Sequence, residues 1–141
     1  LRVFSGFKIP TYLWFDGDKG NQDKAVTDKT LELLKLCGQP IDKIEDVKTI
    51  VSDRFTVLEF TFEEILAREL TDYEKIVSEA TSALGPTGKP LKHRFIARVL
   101  KERVEKGEPV DKALPKTIVD IIGKIRDLSN TENILQKTAK Q

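Results

Sequence analysis

Two carboxylates separated by one residue, Asp16 and Asp18, follow directly on the apolar run Thr11-Tyr12-Leu13-Trp14-Phe15. The run is β-branched and aromatic, bounded by Pro10 and by a polar stretch from Asp16 to Asp23, which predicts a strand buried in a parallel sheet. A carboxylate at the carboxyl end of such a strand stands where open α/β sheets bind ligands. Its charge must be paired, hydrated or metal-bound, because an isolated buried carboxylate is strongly disfavoured. Alternate residues of an extended segment point to one side, so Asp16 and Asp18 can converge on one hard cation. The same residues also suit a solvated turn, with Gly17 and Gly20 for the bend and Asp18 capping the next helix. A calcium loop is excluded: counted from Asp16, the sixth position is Asn21 instead of Gly and the twelfth is Thr27 instead of Glu.

Two further clusters bear on the same chemistry. Thr61-Phe62-Glu63-Glu64 follows a second strand-like run, Phe55-Thr56-Val57-Leu58-Glu59-Phe60, and opens a helix. If the two strands are parallel neighbours, Glu63 can approach Asp16 and Asp18, and three gathered carboxylates call for a divalent cation. The alternative is a glutamate favoured by the helix macrodipole in a first turn. Gly88-Lys89-Pro90-Leu91-Lys92-His93-Arg94 is basic, as phosphodiester chemistry near a metal requires, and equally suits a solvated helix start. His93, the single histidine, lacks a partner at ligand spacing and reads as a surface residue. Cys37 and Trp14 read as core. A haloacid-dehalogenase arrangement is disfavoured, since Lys19-Gly20 follows where Thr or Ser is needed and no later paired-Asp motif occurs. There is no Ser-His-Asp arrangement, Walker motif or dinucleotide fingerprint.

The elements that must hold these residues come from a chain of 141 residues, 39% hydrophobic and 33% charged, which excludes a disordered or collagenous chain. Lys and Arg number 24 against 23 Asp and Glu, so bulk charge gives no polybasic signature and any electrostatic function is local. One cysteine excludes a disulfide framework or a multi-cysteine zinc site and fits a reducing, cytoplasmic compartment. No apolar run approaches the roughly 20 residues that span a bilayer. The chain contains no Met and starts at Leu1, so residues upstream are expected.

Leu1 to Lys8 reads as the end of a helix, and Val26, Leu33, Leu34 and Cys37 mark another from Asp23 to Cys37, stopped by Gly38 and Pro40. A connecting helix is expected around Ile44 to Val51. Beyond the second strand the pattern is helical. Phe62, Ile65, Leu66 and Leu70 make one face. Thr71 to Glu74 reads as a capping box for a helix buried through Tyr73, Ile76, Val77, Ala80 and Leu84. A helix from Leu91 to near Gly107 follows, and then one after Pro115 buried through Ile118, Ile121, Ile122, Ile125 and Leu128. Residues 129–141 read as a polar, fraying tail.

In order and spacing these motifs resemble the nuclease end of the OLD (overcoming lysogenization defect) family of ATP-dependent endonucleases, whose catalytic module is a Toprim domain. The resemblance rests on IPTYLWFDGD, on FTVLEF running into TFEE, on DYEKIVSEATSALG followed by GKPLKHRFIARVL, and on PKTIVDIIGKIRDL. It implies an α/β chain: a partial Toprim (Rossmann-like) fold over residues 1–128, with a short parallel sheet flanked by helices and a C-terminal helical extension from about residue 62. The first strand, carrying a Glu, would lie upstream with the ATPase module. Asp16 and Asp18 would be metal ligands, Thr61 and Glu63 would match the pair at a second metal, and Lys89 would stabilise the scissile phosphate. Glu64 and Lys92 are the alternatives to Glu63 and Lys89. The implied activity is Mg²⁺- or Mn²⁺-dependent, two-metal cleavage or nicking of DNA within a larger ATPase-nuclease, as in phage defence. The parent would be a homo-oligomer, with a helicase as possible partner, and the isolated segment would be inactive or weak. The other readings are a degenerate Toprim module that binds DNA or a partner, and a primase- or topoisomerase-type Toprim domain.

Overall fold

The computed structural model describes residues 11–138, with side chains described through residue 130. The helix expected at Leu1 to Lys8 lies outside this range. The chain is α/β. In order it forms β1 (Leu13–Asp16), α1 (Lys24–Leu36), a 3-10 turn (Ile44–Asp46), β2 (Ile50–Val51), β3 (Phe55–Leu58), α2 (Phe62–Glu69), α3 (Tyr73–Leu84), α4 (Lys89–Glu105), α5 (Val110–Ala113) and α6 (Lys116–Thr138). These divide into two compact units, one running to Phe62 and resuming at Asp120, the other Glu63–Val119. No helix among the described residues is long and apolar enough to cross a membrane.

In the first unit the strand order is β1-β3-β2. β1 and β3 are parallel, with Asp16 opposite Leu58, as the two strand-like runs suggest. The sheet is nevertheless mixed, because β2 pairs antiparallel with β3 where a helix was expected. The isolated Ile50 and Val51 are too few for a helical face but suffice for a two-residue bridge, turned back by Ser52, whose hydroxyl accepts from Phe55 N–H at 3.1 Å. Only Ile44–Asp46 is helical there.

β3 is central, and all four of its residues are buried, including Thr56, whose hydroxyl meets Tyr12 Oη at 2.7 Å. β1 lies at an edge. Its Leu13 and Phe15 pack on a core of Leu34, Val47, Phe55 and Val57, with Cys37 also against it. Trp14 points the other way, is 42% exposed and meets the edge of Phe62, centroids 5.4 Å apart, so it is not core. Its partner on β3, Thr56, is fully buried in the central strand, so the exposure of Trp14 goes with its place on the edge strand. α1 is capped by Asp23, whose carboxylate accepts from Ala25 N–H at 2.9 Å.

The second unit pairs α3 and α4 around Ile76, Ala80, Ile96 and Leu100. The expected capping box does not form. The residue at the start of α3 is Asp72, and its side chain makes no cap because both carboxylate oxygens take hydrogen bonds from the Arg103 guanidinium on α4. α4 begins at Lys89 rather than Leu91, with Pro90 accommodated in the first turn, where no intrahelical N–H is required. The start of α6 is held by Glu69, which accepts from Thr117 N–H at 2.9 Å and from Thr117 Oγ1 at 2.6 Å.

α6 departs from expectation twice. It continues through the polar segment to Thr138 instead of ending near residue 128. Among its apolar residues with described side chains, Ile121 is fully buried, while Ile122 and Ile125 are exposed. The apolar stripe is wider than the face that the fold covers.

Candidate functional site

The loop after β1 is fixed by backbone contacts that only glycine permits. A Cβ on Gly17 would lie 2.1 Å from the Leu58 carbonyl oxygen and 2.9 Å from that of Glu59. Across this contact Gly17 N–H donates to Phe60 O at 3.3 Å and Lys19 N–H to Glu59 O at 3.2 Å, so the loop is stitched to the exit of β3. Lys19 adds a side-chain clamp, its ammonium 2.6 Å from Glu59 Oε1 and 3.3 Å from the Val47 carbonyl, with the Phe60 ring centroid 5.8 Å away.

Asp16 and Asp18 are therefore held, both half-buried, at the carboxyl edge of two parallel strands. They do not share the extended geometry assumed for them. Asp18 takes a left-handed conformation, φ 52°, and its carbonyl accepts from Asn21 N–H at 2.9 Å, so the chain turns out of the strand before Asp18. Aspartate is among the few non-glycine residues that tolerate this region. Nor does Asp18 cap α1, a role taken by Asp23.

Thr61 stands immediately before α2 and belongs with Asp16 and Asp18 in the first unit. Glu63, Glu64, Lys89 and Lys92 belong to the second. There Glu63, in the first turn of α2, is half-buried and meets Lys89 Nζ at 2.8 Å and His93 Nε2 at 3.4 Å. Its carboxyl is held below the usual carboxylate range, first by the hydrogen bond from Lys89 and further by its own helix-start amide and the charges of Lys89 and His93, against the opposing effect of burial. Tyr73 joins the cluster electrostatically, its hydroxyl pushed up by burial and then by the negative charge of Glu63. Glu64 is exposed, and Lys92 is half-buried one turn beyond Lys89. Of the two pairs of alternatives, the fold brings together Glu63 and Lys89.

Among the described residues no group of three or more His, Cys, Asp or Glu side chains is arranged to hold a metal ion. Asp16 and Asp18 place two carboxylates on one loop, and Glu59 and Glu63 each meet a lysine. The described residues thus fit a divalent cation only in part.

Three participants escaped the sequence reading. Glu59 was legible in principle, as the single charge at the carboxyl end of the run parallel to β1. Lys19, next to the aspartates, was the natural counter-charge. His93 faces a carboxylate because α4 starts two residues earlier than its apolar pattern, and this brings Lys89 and His93, four residues apart, onto one face.

No protein-family model, curated protein or solved structure matches the chain.

Proposed function

We propose that this chain is a DNA-handling module of Toprim type, contributing the centre of a metal-dependent endonuclease or nickase within a larger ATPase-nuclease. The observation that carries the reading is the Asp16-Gly17-Asp18 loop at the carboxyl edge of parallel strands β1 and β3, rigidly stitched through Gly17 to the β3 exit. A loop tied down at this cost in sequence freedom suits preorganised ligands better than a connector. In this proposal Asp16 and Asp18 are the metal ligands contributed by the described residues, and a further acidic ligand comes from outside them. Mg²⁺ or Mn²⁺, when bound, would polarise the scissile phosphate and lower the pKa of water. Lys89, with Glu63 and His93, forms a second polar centre whose cation suits phosphate, and Thr61 lies at the junction leading into it.

A second reading, a degenerate Toprim module that binds DNA or a partner without cutting, is favoured by one observation: Glu59 and Glu63 are neutralised by Lys19 and Lys89. Supercoiled-plasmid cleavage by the full-length protein with Mg²⁺ or Mn²⁺, compared with EDTA and with Asp16→Asn, separates the two. Nicking that needs metal and vanishes in the variant, with DNA affinity retained, supports the nuclease. An intact wild type that binds DNA but never cleaves it with either metal would leave the binding module standing.

A further inference from the structure

The chain is nearly neutral overall, yet helix α4 carries six Lys and Arg against two Glu. Lys92 is half-buried, and the other five divide by what they face. Lys89 is engaged with Glu63 and Arg103 with Asp72, so these two cations serve the second unit's own carboxylates. Arg94, Arg98 and Lys101 are all exposed, and their spacing of four and then three residues aligns them on one side of the helix. At a rise of about 1.5 Å per residue the row extends about 10 Å. The opposite side is the buried one, carrying Ile96 and Leu100.

Each member of the row is available to an external anion. Among the described residues Arg94 has no ion-pair partner. Arg98 and Lys101 have only the exposed partners Glu102 at 3.7 Å and Glu105 at 3.4 Å, contacts that contribute little and exchange readily. Arg98 also lies over the Phe95 ring, 4.9 Å from its centroid, which restrains the guanidinium while leaving its donor edge for a bidentate contact.

We propose that the outward face of α4, through Arg94, Arg98 and Lys101, binds the phosphate backbone of duplex DNA. This inference rests on the reading of the chain as a DNA-handling module and names the surface that would carry the substrate. Duplex DNA suits a straight cationic row because it presents a regular line of charge, about one per 1.7 Å of axis. A membrane surface does not suit it, since the apolar face that would have to insert is packed inside the unit. The row ends at Lys101, because Glu102 and Glu105 follow at the C-terminal end of the helix.

The test is binding of labelled duplex DNA to the full-length protein in EDTA, read by fluorescence anisotropy between about 50 and 200 mM salt. The comparison is between wild type and the triple variant Arg94→Gln, Arg98→Gln, Lys101→Gln. Three lost phosphate contacts should flatten the slope of log K against log salt by about 2.7, at about 0.9 per phosphate, and weaken binding by about 1,000-fold or more at the lower salt. The charge-retaining variant Arg94→Lys, Arg98→Lys should keep most of the slope. If the triple variant fails to fold, Arg94→Glu alone serves, because that side chain is exposed and holds no partner; it should weaken binding at least tenfold. A slope and affinity equal to wild type would overturn the proposal, as would a wild type that does not bind duplex DNA. Displacement by polyglutamate as effective as that by duplex would assign the face to an acidic protein and overturn it too. Metal is absent throughout, so a protein that binds through this row yet never cleaves would defeat the nuclease reading and leave this one intact.

Discussion

Replacing Gly17 with Ala should be the most damaging single-methyl change in the first unit. The backbone at Gly17 does not need glycine for its dihedral angles, since the positive-φ glycines are Gly20, Gly38, Gly85 and Gly107. It needs glycine for space. The added Cβ would lie 2.1 Å from the Leu58 carbonyl oxygen, where real Cβ atoms keep at least 3.0 Å, and the obstacle is backbone of the central strand. The loop must move away from β3 by about 1 Å, an overpacking cost of about 1–3 kcal/mol. The move also strains the bonds from Gly17 N–H to Phe60 O and from Lys19 N–H to Glu59 O, worth about 0.5–1.5 kcal/mol each. The expected loss is about 3 kcal/mol, or roughly 10 °C in Tm for a chain of this size. Gly20→Ala is the control. Its φ of 89° is unfavourable to alanine but nothing lies within 4 Å, so about 1 kcal/mol and no displacement of the loop are expected. Urea and thermal unfolding by circular dichroism read both. A Gly17→Ala protein within about 2 °C of wild type, or no worse than Gly20→Ala, would refute the close-approach argument.

Two other contacts give measurable expectations. Arg103→Met should remove about 1 kcal/mol at neutral pH, a value discounted for the pair's partial exposure. Because Arg103 holds the Asp72 carboxyl below its ordinary value of 3.8, this stabilisation is complete above that pH and fades as pH falls through the depressed folded value. The two stability-against-pH curves should run parallel near neutrality and converge in acid, and a constant difference down to the acid limit would contradict the pairing. Glu69→Ala should cost about 1 kcal/mol, the value of a helix-start cap, with Glu69→Gln intermediate; equal urea midpoints for all three proteins would show that the Thr117 contacts contribute nothing.

Helices were legible where their apolar faces were long, and less so where a charge found a distant partner. The α2 face and the buried pair Ile76 and Ala80 follow directly from spacing, whereas of the expected α1 stripe only Leu34 is buried, beside Thr27 and Thr30. Thr71 and Glu74 have the types of a capping box, but Asp72 between them starts the helix and is drawn to Arg103, a residue 31 positions away. The same holds at the candidate site. That Asp16 and Asp18 stand at a strand end was legible from the apolar run before them. That Asp18 turns out of the strand was not, because it depends on the carbonyl line of β3 pressing on Gly17. Trp14 shows the limit of composition: five β-branched, aromatic and aliphatic residues in a row read as a buried strand, but among the described residues the sheet has three strands and this one is at its edge.

The near-zero net charge also needs a different interpretation once the pairs are known. Taken over the whole chain, 24 cations against 23 anions argue against a polyanion partner, and the cluster from Lys89 to Arg94 is then the only local exception. The fold redistributes that balance. Lys19, Lys89, Arg103 and Lys124 meet Glu59, Glu63, Asp72 and Asp53, so four of the 24 cations are paired with carboxylates of their own unit. Within the basic cluster itself Lys89 is engaged while Arg94 is not, so the sequence cluster and the available surface are different sets of residues. The available set is periodic on α4 rather than contiguous in sequence, and for that reason a composition window centred on Lys89 to Arg94 counts a committed lysine and misses Arg98 and Lys101. A phosphate backbone responds to the charge presented along a line over about a Debye length, about 10 Å at 0.1 M salt, which is the length of the exposed row. Local presentation, and not the total, is what decides whether this chain can hold DNA.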